Sequence, residues 1–196
     1  MKTAIYLTLT LLTVSMFGCK ALVNKLAFRP DSVNVIPSSK LPPEIEEISI
    51  RTKDGEKLTS LYLSSPESNK VLIYFHGNEG NIYHRIPSLL QLHKFGVNVL
   101  GVSYRGYGKS EGEPTEEGVY LDGESIYQYV IEEMGISSEN VILFGRSIGT
   151  TVAINTAMNK DIRGVILVTP LTSKKWGQTL ISDYDACHCY KLYYKD

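Results

Sequence analysis

From Ile45 onward, apolar and polar residues alternate. Ile48 and Ile50 fall on one face, Asp54-Gly55 makes a turn, and Leu58, Tyr62 and Leu63 resume the apolar pattern. Alternation interrupted by an Asp-Gly pair predicts a β-hairpin. Val71-Leu72-Ile73-Tyr74-Phe75 is instead apolar at every position and ends at His76-Gly77-Asn78. Such a run predicts a central parallel strand buried on both faces. Between about Ile82 and Phe95, residues Ile86, Leu89, Leu90 and His93 recur at helical spacing and Gly96 ends the segment, which predicts a helix.

A further strand is expected over Val97–Val102, followed by a loop through Gly106, Gly108 and Gly112. Thr115-Glu116-Glu117 opens a longer helix with acids in its first turn, where they favour the macrodipole. Val119, Ile126, Tyr127, Val130, Ile131 and Met134 mark its buried face, and Gly135 closes it. Val141–Phe144 reads as a strand, Ile148 to about Met158 as a helix, and Val165–Val168 as a strand. Strand and helix in strict alternation after a hairpin define the α/β class, with a mostly parallel sheet covered on both faces.

The first 44 residues lie outside this pattern. Lys2 precedes a run from Ala4 to Phe17 without charge, ending in Gly18-Cys19-Lys20. Residues 1–19 are expected to be a secretory signal, too short to favour a spanning helix. Gly18-Cys19 resembles the end of a bacterial lipoprotein signal, which would make Cys19 a lipidation site and hold the protein at a membrane on the extracytoplasmic side, in the cell envelope. An uncleaved signal anchor and a buried helix stay open beside it. Residues 20–44 carry Pro30, Pro37, Pro42 and Pro43 among Ser and Asn and are expected to be a tether. The folded domain is expected over 45–180 and an atypical tail over 181–196.

The chain has 196 residues, 43% of them hydrophobic, and a formal net charge of -1 with both signs interspersed. This suits one globular core and argues against a nucleic-acid partner. Besides Cys19, the cysteines are Cys187 and Cys189, which flank His188. That spacing is too cramped for an ordinary disulfide, and the cluster reads as incidental rather than as a metal site.

Chemistry concentrates at Gly145-Arg146-Ser147-Ile148-Gly149, between a predicted strand and a predicted helix. The Gly-x-Ser-x-Gly pattern there is that of a nucleophile elbow, in which a sharp turn lifts the serine hydroxyl toward a substrate. Side chains at Gly145 and Gly149 would collide with neighbouring backbone. Ser147 is the candidate nucleophile. The N–H of Ile148, at the start of the helix, and the N–H of Asn78, in the loop after the buried strand, are the candidate oxyanion donors.

Three motifs together, Tyr74-Phe75-His76-Gly77-Asn78 with Gly80-Asn81, Tyr104-Arg105-Gly106-Tyr107-Gly108-Lys109-Ser110-Glu111-Gly112, and the elbow, resemble the α/β-hydrolase superfamily. The likeness is to its small membrane-associated α/β-hydrolase-domain and serine-aminopeptidase-like members, and it spans about Ile45 to Pro170. It implies an α/β-hydrolase fold, Ser147 as nucleophile, an oxyanion hole shaped by Asn78 and Ile148, and Tyr104, Arg105 and Tyr107 as loop scaffolding. It also implies an acid and then a histidine after the serine.

Only His188 follows Ser147, preceded by Asp183 and Asp185. Three to five residues of one tail separate them, where relatives draw acid and base from separate strand ends, so the spacing argues against a working triad. His76, His84 and His93 precede the serine and read as loop or helix-surface residues. The fold is expected to be truncated after about its sixth strand, leaving Val165–Val168 as an uncovered edge, as in a fragment or an interrupted frame.

The leading functional expectation is a serine hydrolase of ester or thioester bonds acting on a small-molecule or acylated substrate, impaired where the acid and histidine are lost. It needs no metal or organic cofactor. The alternatives are a noncatalytic, membrane-tethered binding protein that keeps the fold, and a serine peptidase.

Overall fold

The computed structural model describes residues 27–170 and the backbone of 191–194. Its main sheet contains β2 (Glu46–Arg51), β3 (Lys57–Leu63), β4 (Val71–Phe75), β6 (Asn98–Val102), β7 (Val141–Arg146), β8 (Gly164–Val168) and β9 (Lys191–Tyr194). Two further short strands, β1 (Arg29–Pro30) and β5 (Glu79–Gly80), pair with each other in parallel. The order across the main sheet is β2-β3-β6-β4-β7-β8-β9. β6, β4, β7 and β8 run parallel at the centre. The predicted hairpin flanks them on one side through antiparallel pairing of β3 with β6.

β4 shows why its sequence is apolar throughout. Val71, Ile73 and Phe75 join one hydrophobic cluster and Leu72 and Tyr74 the other, since successive side chains of a strand point to opposite faces. Helix α1 (Ile86–His93) covers the second face with Ile86 and Leu89, entered by a 3₁₀ turn over Ile82–Arg85. The predicted single helix is thus two pieces. The Asn81 side chain accepts from the Tyr83 N–H at 3.0 Å and fixes the tighter first turn. Helices α2 (Glu116–Glu132) and α3 (Gly149–Ala157) cover the first face with Val119, Ile126, Val130, Val152 and Ala153. The Thr115 hydroxyl caps α2 by accepting from the Gly118 N–H at 2.9 Å. Gly123 of α2 leaves room for α3: a Cβ there would lie 2.5 Å from the Thr156 hydroxyl.

Two expectations are corrected. From Ala27 onward the segment expected as a tether is packed on the domain. Phe28 is buried, Val35, Ile36 and Leu41 pack against the core, and β1 pairs with β5. The prolines suppress helix but leave the extended, main-chain pairing that this docking uses. The segment expected to be an atypical tail supplies β9, which pairs antiparallel with β8 from Gly164↔Tyr194 to Leu167↔Lys191. β8 is therefore not an open edge, and its outer N–H and C=O groups face a partner strand.

Candidate active site

β7 ends at Arg146 and α3 begins at Gly149, so Ser147 and Ile148 form the whole connection. Ser147 has φ 53°, a left-handed conformation that a residue with a Cβ adopts only when its surroundings impose it. The imposing contacts meet its main-chain N–H and carbonyl. The Ser147 N–H donates to the Val168 carbonyl at 2.9 Å, and the Ser147 carbonyl accepts from the Thr150 N–H at 2.9 Å and the Thr150 hydroxyl at 2.6 Å. A Cβ at residue 145 would lie 2.6 Å from the Thr150 Cα, and one at 149 would run into the Phe75 and His76 carbonyls. Only glycine fits at either position.

The contact of Gly149 with Phe75 and His76 seats the start of α3 on the end of β4. The loop after β4 then passes beside the elbow, where a Cβ on Gly77 would be 3.5 Å from that of Ser147. Gly77 contributes to this neighbourhood unanticipated by the sequence reading, in which it was only part of His-Gly-Asn. Ser147 and Asn78 are half-buried and Ile148 is buried. Among the described residues, neither the Asn78 N–H nor the Ile148 N–H meets a protein acceptor.

The tyrosine-rich loop braces the loop after β4. Tyr104 donates its hydroxyl to the His76 carbonyl at 3.0 Å, and Tyr107 donates to the Asn78 carbonyl at 2.8 Å. Burial raises the pKa of both phenols, so they serve here as neutral donors. Arg105 is held by two aspartates. It bonds Asp122 with its main-chain N–H at 2.8 Å and its Nε at 2.9 Å, and grips Asp54 with Nη1 at 2.8 Å.

His76 differs from the expected surface histidine. It is fully buried, with Tyr104 and Tyr107 packed on its ring at 4.5 and 5.1 Å between centroids. Burial lowers its pKa to about 4, with the hydrogen bond to the Gly77 carbonyl acting the other way. Nδ1 lies 2.6 Å from that carbonyl and Nε2 has no partner among the described residues. The ring is thus neutral, with its proton on Nδ1. His84 lies 3.8 Å from Asp31, and His93 bonds Ser65 and the Val97 carbonyl. Cys19, Asp183, Asp185, Cys187, His188 and Cys189 lie outside the described residues.

An open cavity of about 500 Å³ lies beside this region, lined by Arg29, Asp31, Glu79, His84 and Arg85 among others. Ser147 is not among its lining residues, so volume alone would point away from the elbow. The strained serine and the two N–H groups without an acceptor among the described residues carry more chemical content than that hollow. Among the described residues, no helix is long and apolar enough to cross a membrane.

A serine held in left-handed geometry at the C-terminal ends of parallel strands, with a helix N-terminus behind it, defines an α/β protein of hydrolase type. Residues 70–183 match the family described as alpha/beta hydrolase fold, and the chain belongs to that family. It is 40% identical to protein bem46 of Schizosaccharomyces pombe over 80% of this chain and 54% of that protein. It is 33% identical to the human alpha/beta hydrolase domain-containing protein 17B over 69% of this chain and 48% of that protein. The chain thus spans about half the length of the curated relatives it matches. Among solved structures, the Pyrococcus furiosus esterase Pf2001 superposes with a TM-score of 0.64 at 26% identity, over 76% of this chain and 57% of the esterase.

Proposed function

We propose that the chain is a serine hydrolase that cleaves ester or thioester bonds through an acyl-enzyme at Ser147. The observation that carries this reading is the φ of 53° at Ser147, held by bonds to its main-chain N–H and carbonyl in a half-buried residue. Strain of this kind is maintained where the side chain has work to do. Ser147 Oγ attacks the carbonyl carbon as its proton passes to a base, and the resulting oxyanion is met by the Ile148 and Asn78 N–H groups. Collapse expels an alcohol or thiol that takes up the proton, and water then releases the acid.

Of the described histidines, His76 donates from Nδ1 to the Gly77 carbonyl within a buried ring, and His84 and His93 contact Asp31 and Ser65; His188, the one histidine after Ser147 in the sequence, is the candidate base that remains. Attachment to a membrane through Cys19 is part of the same proposal, with an acylated substrate as the class that fits it.

The test is labelling with a fluorophosphonate probe and turnover of p-nitrophenyl and thioester acyl substrates. Label that vanishes in Ser147→Ala and slows in His188→Ala supports the enzyme. A folded protein with no label overturns it in favour of a noncatalytic binding protein. Cleavage of peptide amides in preference to esters would reassign it as a peptidase. Labelling by an alkyne fatty acid, abolished in Cys19→Ala, tests the anchor.

A further inference from the structure

Asn78 is tied back at its main-chain carbonyl and its side-chain amide nitrogen, while its main-chain N–H, the group the proposed reaction would use, meets no acceptor among the described residues. Its carbonyl accepts from the Arg29 main-chain N–H at 3.1 Å and from the Tyr107 hydroxyl at 2.8 Å. Its side-chain amide donates to the Ala27 carbonyl at 3.2 Å. Beyond it, the Asp31 N–H donates to the Gly80 carbonyl at 3.1 Å, continuing the parallel pairing of Arg29 with Glu79 and Pro30 with Gly80. Two of the three ties on Asn78 therefore come from a segment far from it in sequence.

That segment is itself fixed. Phe28 is inserted in the hydrophobic core with 4% of its surface exposed. The Asp31 carbonyl accepts from the Gly108 N–H at 3.0 Å and the Asn81 amide at 2.9 Å, and the Asn81 amide also reaches the Asn34 carbonyl at 3.0 Å. The Asp31 carboxylate closes the following turn by accepting from the Val33 and Asn34 N–H groups, each at 2.9 Å. The segment is therefore bonded at once to the loop after β4 and to the tyrosine-rich loop.

An oxyanion donor is effective only if it points at the developing charge before that charge appears. For a main-chain N–H, orientation is set by the dihedral angles on either side of the residue, and the ties at the carbonyl and side chain of Asn78 restrict these. We infer that Ala27–Asp31 is a positioning strap for the oxyanion loop. The main-chain N–H of Arg29 is its key group, acting through Asn78 without touching substrate. This inference rests on the proposed hydrolase reading. It makes a segment before the main sheet part of what sets the reaction rate.

Arg29→Pro deletes this N–H while leaving an extended backbone permitted. Removing an oxyanion donor outright costs about 100- to 1000-fold in kcat, so misaligning one is expected to cost about 10- to 100-fold. The expected result is a fall of that size in kcat and in the fluorophosphonate labelling rate, with KM little changed and recovery in Arg29→Lys, which restores the N–H. Hydrogen exchange on the same proteins should be faster at residues 77–80 and unchanged in β4 and β7. Where Arg29→Pro does not fold, Asn78→Ala, which loses only the tie to Ala27, is read in the same way. A folded variant with wild-type rate and wild-type exchange at 77–80 overturns the strap. If the wild-type protein neither labels nor turns over, the hydrolase reading is what fails. Exchange alone then decides the strap, and unchanged exchange rejects it.

Discussion

The Ser147 N–H is bonded to the Val168 carbonyl at 2.9 Å while Ser147 itself sits at φ 53°, so β8 helps hold the elbow in a conformation its Cβ resists. Left-handed geometry costs a non-glycine residue on the order of 1 to 2 kcal/mol. Ser147→Gly is therefore expected to be more stable than Ser147→Ala by about 1 kcal/mol in urea denaturation, although both remove the hydroxyl. Equal stability of the two variants would show that the elbow carries no strain.

Gly145 and Gly149 set a stricter limit, because the atoms a side chain would meet there belong to backbone and cannot swing away. Gly149→Ala and Gly145→Ala are each expected to lose about 3 kcal/mol or more, at the upper end of the range for overpacking. They should appear as loss of soluble protein or a large drop in urea midpoint. Gly77→Ala is the contrast. Its added Cβ would be 3.5 Å from that of Ser147 and 3.6 Å from the Arg146 carbonyl, an ordinary contact. It should fold with stability near wild type, while slowing the proposed reaction at Ser147 with bulky acyl groups more than with acetyl.

These elements were legible because side-chain pattern encodes them. β4 had to be apolar at every position to be buried on both faces, α2 carried its inner face at helical spacing, and the elbow glycines were required by sterics. What was missed depends on other information. β1 and β5 are joined through main-chain groups, which any sequence possesses, so the proline-rich segment read as a tether. β9 is four residues long, too short for periodicity to register. His76 read as a surface loop histidine because its burial is created by Tyr104 and Tyr107, far from it in sequence. The partnership of Arg105 with Asp54 and Asp122 likewise joins a turn, a loop and a helix that no local pattern links.

That partnership makes the next prediction. Arg105 is 8% exposed and Asp122 fully buried, with Nη2 and Oδ1 2.8 Å apart. Removing one member of a buried pair costs about 3 to 5 kcal/mol, because the other charge is left without compensation. Asp122→Ala is expected in that range by urea denaturation, and Asp122→Asn, which keeps an acceptor oxygen, well below it. The Asp54 pKa falls to about 2, chiefly through its hydrogen bonds from Arg105. Its contribution is therefore complete above the unfolded value near 3.8 and is lost as pH falls toward 2. Asp54→Asn should flatten the acid limb of the stability profile below pH 4.

At milder acidity, His76 and Asp122 act in opposite directions. Burial lowers the His76 pKa from 6.5 to about 4, so the folded state binds fewer protons than the unfolded chain between those values. Stability from this group is complete above pH 6.5 and is lost as pH falls through the window, by about 3 kcal/mol at about 1.4 kcal/mol per unit. Burial raises the Asp122 pKa to about 6, against the pull of its bonds from Arg105, so the folded state binds more protons than the unfolded chain from about pH 4 to 6. Its contribution therefore falls as pH rises. The two slopes offset each other in the wild-type protein. His76→Phe keeps an aromatic ring beside Tyr104 and Tyr107 but removes one titration, and its stability should increase from pH 6.5 to 4 where that of the wild type changes little. Asp122→Asn should do the reverse and lose stability steeply over the same interval. Parallel profiles for the two variants, from urea midpoints at half-unit steps, would contradict the assignment of a neutral, buried His76.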